Sequence, residues 1–198
     1  MSQFHFYQDL ELINQPGISL GVVWSKLYTQ LHIALADLKN QIGKQPVAVS
    51  FPEYGDTTFP LGFKLRLLAV NEDELHALNI SFWLSRLTDY VKVKPIRMVP
   101  QKRINGYAIF GRKQVKGRPE TIAKRRARKD PNISYEDALQ LASQKNRQFS
   151  QLPYVSLSSS TSGQYFKLFI SRKECSAENT DMDFSSYGLS NQCAVPIF

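Results

Sequence analysis

Cysteine and histidine are scarce in this chain: of 198 residues, 2 are cysteine and 3 are histidine. Cys175 and Cys193 lack the CxxC spacing of a metal or redox motif and are too few for a disulfide framework, so free thiols are predicted. Long apolar runs are missing too, since none approaches the roughly 20 residues needed to cross a bilayer. The opening MSQFHFYQDLEL carries acids where a secretory signal would carry bases. Together these absences predict a cytoplasmic protein with no membrane partner. No glycine-rich phosphate loop, HExxH or Cys/His cluster occurs, and the acids are scattered rather than grouped as magnesium ligands. A metal-dependent nuclease is therefore disfavoured, and neither metal nor cofactor is expected.

What the chain does have is bulky apolar side chains and bases. It is 42% hydrophobic and 12% aromatic with a mean hydropathy of -0.31, a composition suited to a folded globular protein. The length allows one large domain or two small ones. Charge favours two. Residues 1–94 hold 8 Lys and Arg against 9 Asp and Glu, whereas residues 95–198 hold 17 against 8. All of the net charge of +8 thus comes from the second half, and 9 bases fall between Arg112 and Lys129 against the single acid Glu120. Such a field attracts polyanions and gives salt-dependent binding through counterion release. The competing explanation is a surface made basic for solubility.

The first half reads as strand, helix, strand, strand, helix, strand. FHFYQDLELI alternates as a half-buried strand does, and Pro16-Gly17 ends it. From Ile18 to Asn40, Leu20, Val23, Leu27, Leu31, Ala34 and Leu38 form a helical stripe. VAVSFPEY (47–54) and LGFKLRLLAV (61–70) are predicted strands. Asn71 with Glu74 is a capping signal for a second helix whose apolar face would hold Leu75, Leu78, Phe82 and Leu87. VKVKPIRMV (91–99) completes a βαββαβ order, the ferredoxin-like arrangement, which hosts many functions and settles none. The predicted fold class is therefore α+β, with a ferredoxin-like domain over 1–94 and a smaller domain over 95–198.

In the second half, KGRPETIAKRRARKDPN places Pro119 and Glu120 at a helix start and Asp130-Pro131 at its stop. Within the helix 119–129, Arg125, Arg128 and Lys129 share one face, with Lys124 and Arg126 beside it. That face repels itself unless a ligand supplies anions, and over about 15 Å it reaches several consecutive phosphates. Nucleic acid is the natural partner, and a solvated charged helix is the plainer alternative. Ser134 and Asp137 cap a following helix with Ala138, Leu141 and Ala142 on one side. LPYVSLSS (152–159) and YFKLFISRK (165–173) form a predicted hairpin, and the tail FSSYGLSNQCAVPIF holds a turn at Tyr187-Gly188. Of the histidines His5, His32 and His76, His32 follows the core position Leu31 and borders the buried stripe. By spacing alone it is a boundary histidine.

The motifs LYTQLHIAL, VSFPEY, GRKQVKGRPETIAKRRARK, SLSSSTSGQYFKLFI and SSYGLSNQCAVPIF together resemble the CRISPR repeat-processing endoribonuclease of type I-F systems, over nearly the whole chain. That resemblance implies a ferredoxin-like domain joined to an RNA-binding domain with an arginine-rich helix. It implies that His32 deprotonates a ribose 2′-hydroxyl, that Ser159 holds that hydroxyl, and that Tyr187 orients the histidine. Ser159 is counted back from Gly163-Gln164-Tyr165-Phe166 within a hydroxyl run that leaves Ser158 and Ser160 as neighbouring registers. Arg112 and Gln114 would read bases at the foot of an RNA hairpin, Arg118, Lys124, Arg125, Arg126, Arg128 and Lys129 would contact its stem, and Phe166 would stack on the terminal base pair. Lys129 stands where the family has an arginine. The implied partners are the CRISPR repeat hairpin, the mature crRNA and other subunits of a type I-F effector complex. A non-catalytic subunit that binds an RNA hairpin remains the alternative. A DNA-binding module ranks last, because Pro-Glu-Thr-Ile occupies the turn where a recognition helix carries base-reading residues.

Overall fold

The computed structural model describes residues 2–56, 58–114, 117–158, 163–177 and 182–198. Strand β1 (Phe6–Leu12) is followed by helix α1 (Leu20–Ile42), β2 (Ala48–Ser50) and β3 (Lys64–Ala69). Helices α2 (Glu72–Leu78) and α3 (Ile80–Trp83) precede β4 (Val91–Val93) and β5 (Arg97–Met98). These strands form an antiparallel sheet in the order β2-β3-β1-β4, with β5 also on β1. α1 buries the predicted stripe from Val23 to Leu38, adding Trp24 and Tyr28. It stops at Gly43, whose left-handed φ of 84° turns its N–H back to the carbonyl of Lys39.

Three expectations for this half change. The Asn71 and Glu74 capping box forms as expected, but the helix does not run on to Leu87. Asn79 adopts φ 44° and ends α2, a conformation asparagine tolerates better than most residues. This resets the helical phase: Leu75, Leu78, Ile80 and Leu84 are buried, while Phe82 stands 67% exposed. The final strand is split into β4 and β5 because Pro95 has no N–H to give the ladder. β2 covers three residues, ending before Phe51-Pro52.

The second sheet consists of β6 (Gly106–Lys113), β7 (Tyr154–Ser158), β8 (Tyr165–Cys175) and β9 (Val195–Ile197), in the antiparallel order β7-β8-β6-β9. β6 was not expected, since Gly106, Ala108 and Gly111 blur its alternation, yet it lies at the sheet's centre. Helices α4 (Pro119–Lys129) and α5 (Tyr135–Ser150) fall between β6 and β7 and pack together. Ser134 Oγ accepts the Asp137 N–H at 3.0 Å, the predicted cap. Ala123, Ala138 and Ala142 are buried, whereas Leu141, expected beside them, is 45% exposed.

One apolar core joins the two sheets, with Leu31, Val49 and Phe51 in the same cluster as Phe110, Leu157 and Leu168. Phe51 meets Phe110 edge-on at 5.4 Å, and Ser25 Oγ donates to the Ser156 carbonyl at 2.6 Å. The tail fastens this junction. Val49 N–H donates to the Gly188 carbonyl at 2.8 Å, and Ser190 N–H donates to the Phe110 carbonyl at 3.0 Å. Farther along, Arg66 pairs with Asp9 through two hydrogen bonds and donates to the Phe198 carbonyl. Neither cysteine forms a disulfide, and Cys193 Sγ accepts the Asp183 N–H at 3.2 Å.

Gly188 has φ 68°, and a Cβ there would collide with Val49 Cγ2 and stand 3.2 Å from Leu35 Cδ1. Left-handed strain and overpacking add up, so Gly188→Ala is expected to lose about 3 kcal/mol of stability. Urea unfolding midpoints measure this, and an unchanged midpoint contradicts the packing described.

Candidate active site and nucleic-acid interface

The turn around Tyr187 is closed from within. Ser185 N–H donates to the Leu189 carbonyl and Gly188 N–H to the Ser185 carbonyl, both at 2.9 Å. Ser185 Oγ donates to the Leu189 carbonyl as well, and accepts the Tyr187 N–H at 3.4 Å. This geometry leaves successive carbonyls pointing outward.

The Ser186 carbonyl meets Nδ1 of His32 at 2.9 Å. A carbonyl oxygen only accepts, so Nδ1 carries the proton of the neutral ring and Nε2 keeps its lone pair. The imidazole is thereby set up as a base at one defined atom. Its ring lies parallel to that of Tyr187, with centroids 3.9 Å apart and 3° between planes. The Tyr187 carbonyl accepts from the Tyr28 hydroxyl at 3.0 Å. Burial pushes the Tyr28 phenol far above its ordinary range, with a smaller contribution from Tyr187, so it stays a donor.

Arg112, near the end of β6, completes the cluster. Its guanidinium lies 4.9 Å from the Tyr187 ring centre and 5.7 Å from that of Phe166 on β8. Four predicted residues from α1, β6, β8 and the tail therefore meet at one place. Ser159 lies outside the described residues. β7, which ends at Ser158, packs along α1: Tyr154 borders the same groove as Val22, and Ser156 reaches Ser25.

A groove of about 820 Å³ opens beside this cluster, lined by Arg112, Gln114, Arg125, Lys145 and Asn191 among others. Arg125 is the α4 base that borders it. Lys124, Arg126, Arg128 and Lys129, with Arg118 ahead of the helix, are exposed. Among the described residues, none of the α4 bases pairs with an acid. The other histidines lie elsewhere: His5 is exposed and His76 faces Glu72 at 3.7 Å. Among the described residues, no three His, Cys, Asp or Glu side chains gather as metal ligands, and no helix is long and apolar enough to cross a membrane.

Sequence reasoning missed several parts of the site. The Ser186 carbonyl has no side-chain signature. Tyr28 was readable one turn before His32, and Lys145 and Asn191 reach the groove only through tertiary packing.

The hydrogen bond to Ser186 predicts the tautomer. Long-range ¹H–¹⁵N spectra of the neutral ring should show His32 protonated at Nδ1 and bare at Nε2. The opposite tautomer would refute the assignment of Nε2 as the free base.

The chain is similar to known proteins over nearly its whole length. The family described as CRISPR-associated protein (Cas_Csy4) matches residues 7–198. The CRISPR-associated endonuclease Cas6/Csy4 of Escherichia coli (strain UTI89 / UPEC) is 32% identical over 192 residues, covering 97% of this chain and 98% of that protein. The protein of the same name from Pseudomonas aeruginosa (strain UCBPP-PA14) is 31% identical over 192 residues with the same coverage. This chain belongs to the Csy4 family, the CRISPR-associated endonucleases that its motifs resemble.

Proposed function

We propose that this protein is an endoribonuclease that binds the hairpin of CRISPR repeat RNA and cuts at the foot of the stem. The observation that carries this reading is the hydrogen bond from His32 Nδ1 to the Ser186 carbonyl, which leaves Nε2 as a base in a cluster whose Arg112 lines a basic groove. Nε2 takes the proton of the ribose 2′-hydroxyl upstream of the scissile phosphate. The 2′-oxygen then attacks phosphorus, the bond to the 5′-oxygen breaks, and that oxygen takes a proton from solvent water and leaves as a hydroxyl. The products are a 2′,3′-cyclic phosphate and a 5′-hydroxyl. Because the nucleophile belongs to the substrate, the step needs no metal to generate it.

The remaining residues divide the work. Ser159 holds the 2′-hydroxyl, Tyr187 orients the imidazole, and Phe166 stacks on the terminal base pair. Arg112 and Gln114 read base edges, with guanine suiting the first and adenine the second. Arg118, Lys124, Arg125, Arg126, Arg128 and Lys129 contact the stem's phosphates, Lys129 as a point charge without the fork an arginine would bring. An A-form major groove is too narrow for a helix unless opened near a loop or stem end, which a short hairpin provides.

In the same reading residues 1–94 form a ferredoxin-like domain, supported by the strand order β2-β3-β1-β4, and residues 95–198 form the RNA-binding domain. Extensive phosphate contact holds the product, so the protein acts once per RNA. It then stays on the crRNA as a subunit of a type I-F effector complex in the cytoplasm.

Cleavage of a labelled repeat hairpin in EDTA tests the chemistry. Wild type should cut, while His32→Ala and a 2′-deoxy upstream ribose should each slow cutting by about 10³-fold or more, with hairpin binding retained. Tight binding without any cutting would instead make this a non-catalytic hairpin-binding subunit. The phosphate contacts have their own signature. Arg125→Ala and Arg128→Ala should each reduce the slope of log affinity against log salt by about 1. A slope unchanged in both variants removes α4 from the interface.

A further inference from the structure

Arg112 does more in this fold than line the groove. Its guanidinium lies within cation–π range of two rings, 4.9 Å from Tyr187 and 5.7 Å from Phe166. Tyr187 in turn stacks on His32 at 3.9 Å. One side chain thus touches both the ring expected at the stem's end and the ring that lies on the histidine. A guanidinium suits this position because contact with rings uses its faces, while its N–H donors project in the plane. Those donors remain available to the O6 and N7 of a guanine.

We propose that Arg112 is a positioning residue that couples recognition of the base at the stem's foot to the orientation of His32. This rests on the reading of the site as a hairpin ribonuclease. A guanine held by the N–H edge fixes the guanidinium, the fixed guanidinium holds the Tyr187 ring, and that ring holds the imidazole plane. A wrong base leaves the guanidinium loose, and the loss reaches the histidine through Tyr187. The site thereby discriminates in the rate of cutting as well as in binding. A pure base-reading role would change affinity alone. Lysine cannot substitute, because its ammonium has no plane to lay on a ring and no fork to offer a guanine.

The test separates rate from binding. Single-turnover cutting is measured with protein in saturating excess for wild type, Arg112→Lys, Tyr187→Leu and the double variant, and affinity is measured on the 2′-deoxy hairpin. Arg112→Lys should lower the saturated rate about tenfold, and the double variant should be no slower than Tyr187→Leu alone, as expected of residues acting through one path. Replacing the guanine by adenine should slow the saturated wild type about tenfold and leave the rate of Tyr187→Leu unchanged. The proposal is overturned if the Arg112→Lys defect lies wholly in affinity, or if the two substitutions multiply. The base replacement needs no variant that must fold: if it weakens wild-type binding and leaves the saturated rate intact, the coupling is absent. A wild type that cuts no hairpin removes the parent reading, whereas His32-dependent cutting without these rate effects removes the coupling alone.

Discussion

Three consecutive carbonyls hold this molecule's working parts together. Those of Ser186, Tyr187 and Gly188 accept, in turn, from the His32 ring, the Tyr28 hydroxyl and the Val49 N–H. Two partners lie on α1 and the third on β2, so one turn of the tail fixes helix and sheet together. The turn can do this only because Gly188 has no side chain, which lets its backbone approach Val49 and Leu35. Each bond is worth about 1 kcal/mol net, a small share of the stability. Their larger effect is orientation, since an imidazole bonded at Nδ1 and stacked on one face has little freedom to rotate.

Charge is arranged on the opposite logic. In α4 the bases Arg125, Arg128 and Lys129 sit at spacings where like charges cost roughly 0.2–0.5 kcal/mol a pair. The helix dipole offsets part of this, through Glu120 in the first turn and bases in the last. Packing supplies the rest: Ala123 is buried together with Ala138 and Ala142 of α5, and small side chains let helices approach closely. The helix is held from behind so that its front can remain unneutralised.

What the sequence revealed followed the range of the forces involved. The stripe on α1, the caps at Asn71 and Ser134, and the Pro119 start of α4 are signals within one or two turns, and each formed where expected. The break at Asn79 was missed because the apolar spacing through Phe82 and Leu87 looked continuous, and a single left-handed residue changes the phase without altering composition. β6 was missed because a central strand can use glycine and alanine where neighbours approach closely. His32 could be placed beside a buried stripe, yet nothing local ties it to a carbonyl 154 residues away. Resemblance brought His32, Tyr187, Arg112 and Phe166 into one list. Their contact is a property of the folded tail.

That tail is anchored twice, and the second anchor explains how the turn keeps its place. Past β9, the Phe198 carbonyl accepts from Arg66, whose guanidinium also lies 4.0 Å from the Phe198 ring and 4.7 Å from that of Tyr7. Arg66 is 7% exposed and paired with Asp9 in fork geometry. Such a buried pair contributes little against an apolar replacement, but losing one partner strands a charge at a cost of about 3–5 kcal/mol. Its role is therefore registration more than stability. The tail is pinned to the first sheet at Arg66 and at Val49, and to the second through β9 and Ser190. With both ends held, the Ser185–Leu189 turn has one position relative to α1. The orientation of the His32 ring therefore follows from the docking of the two sheets.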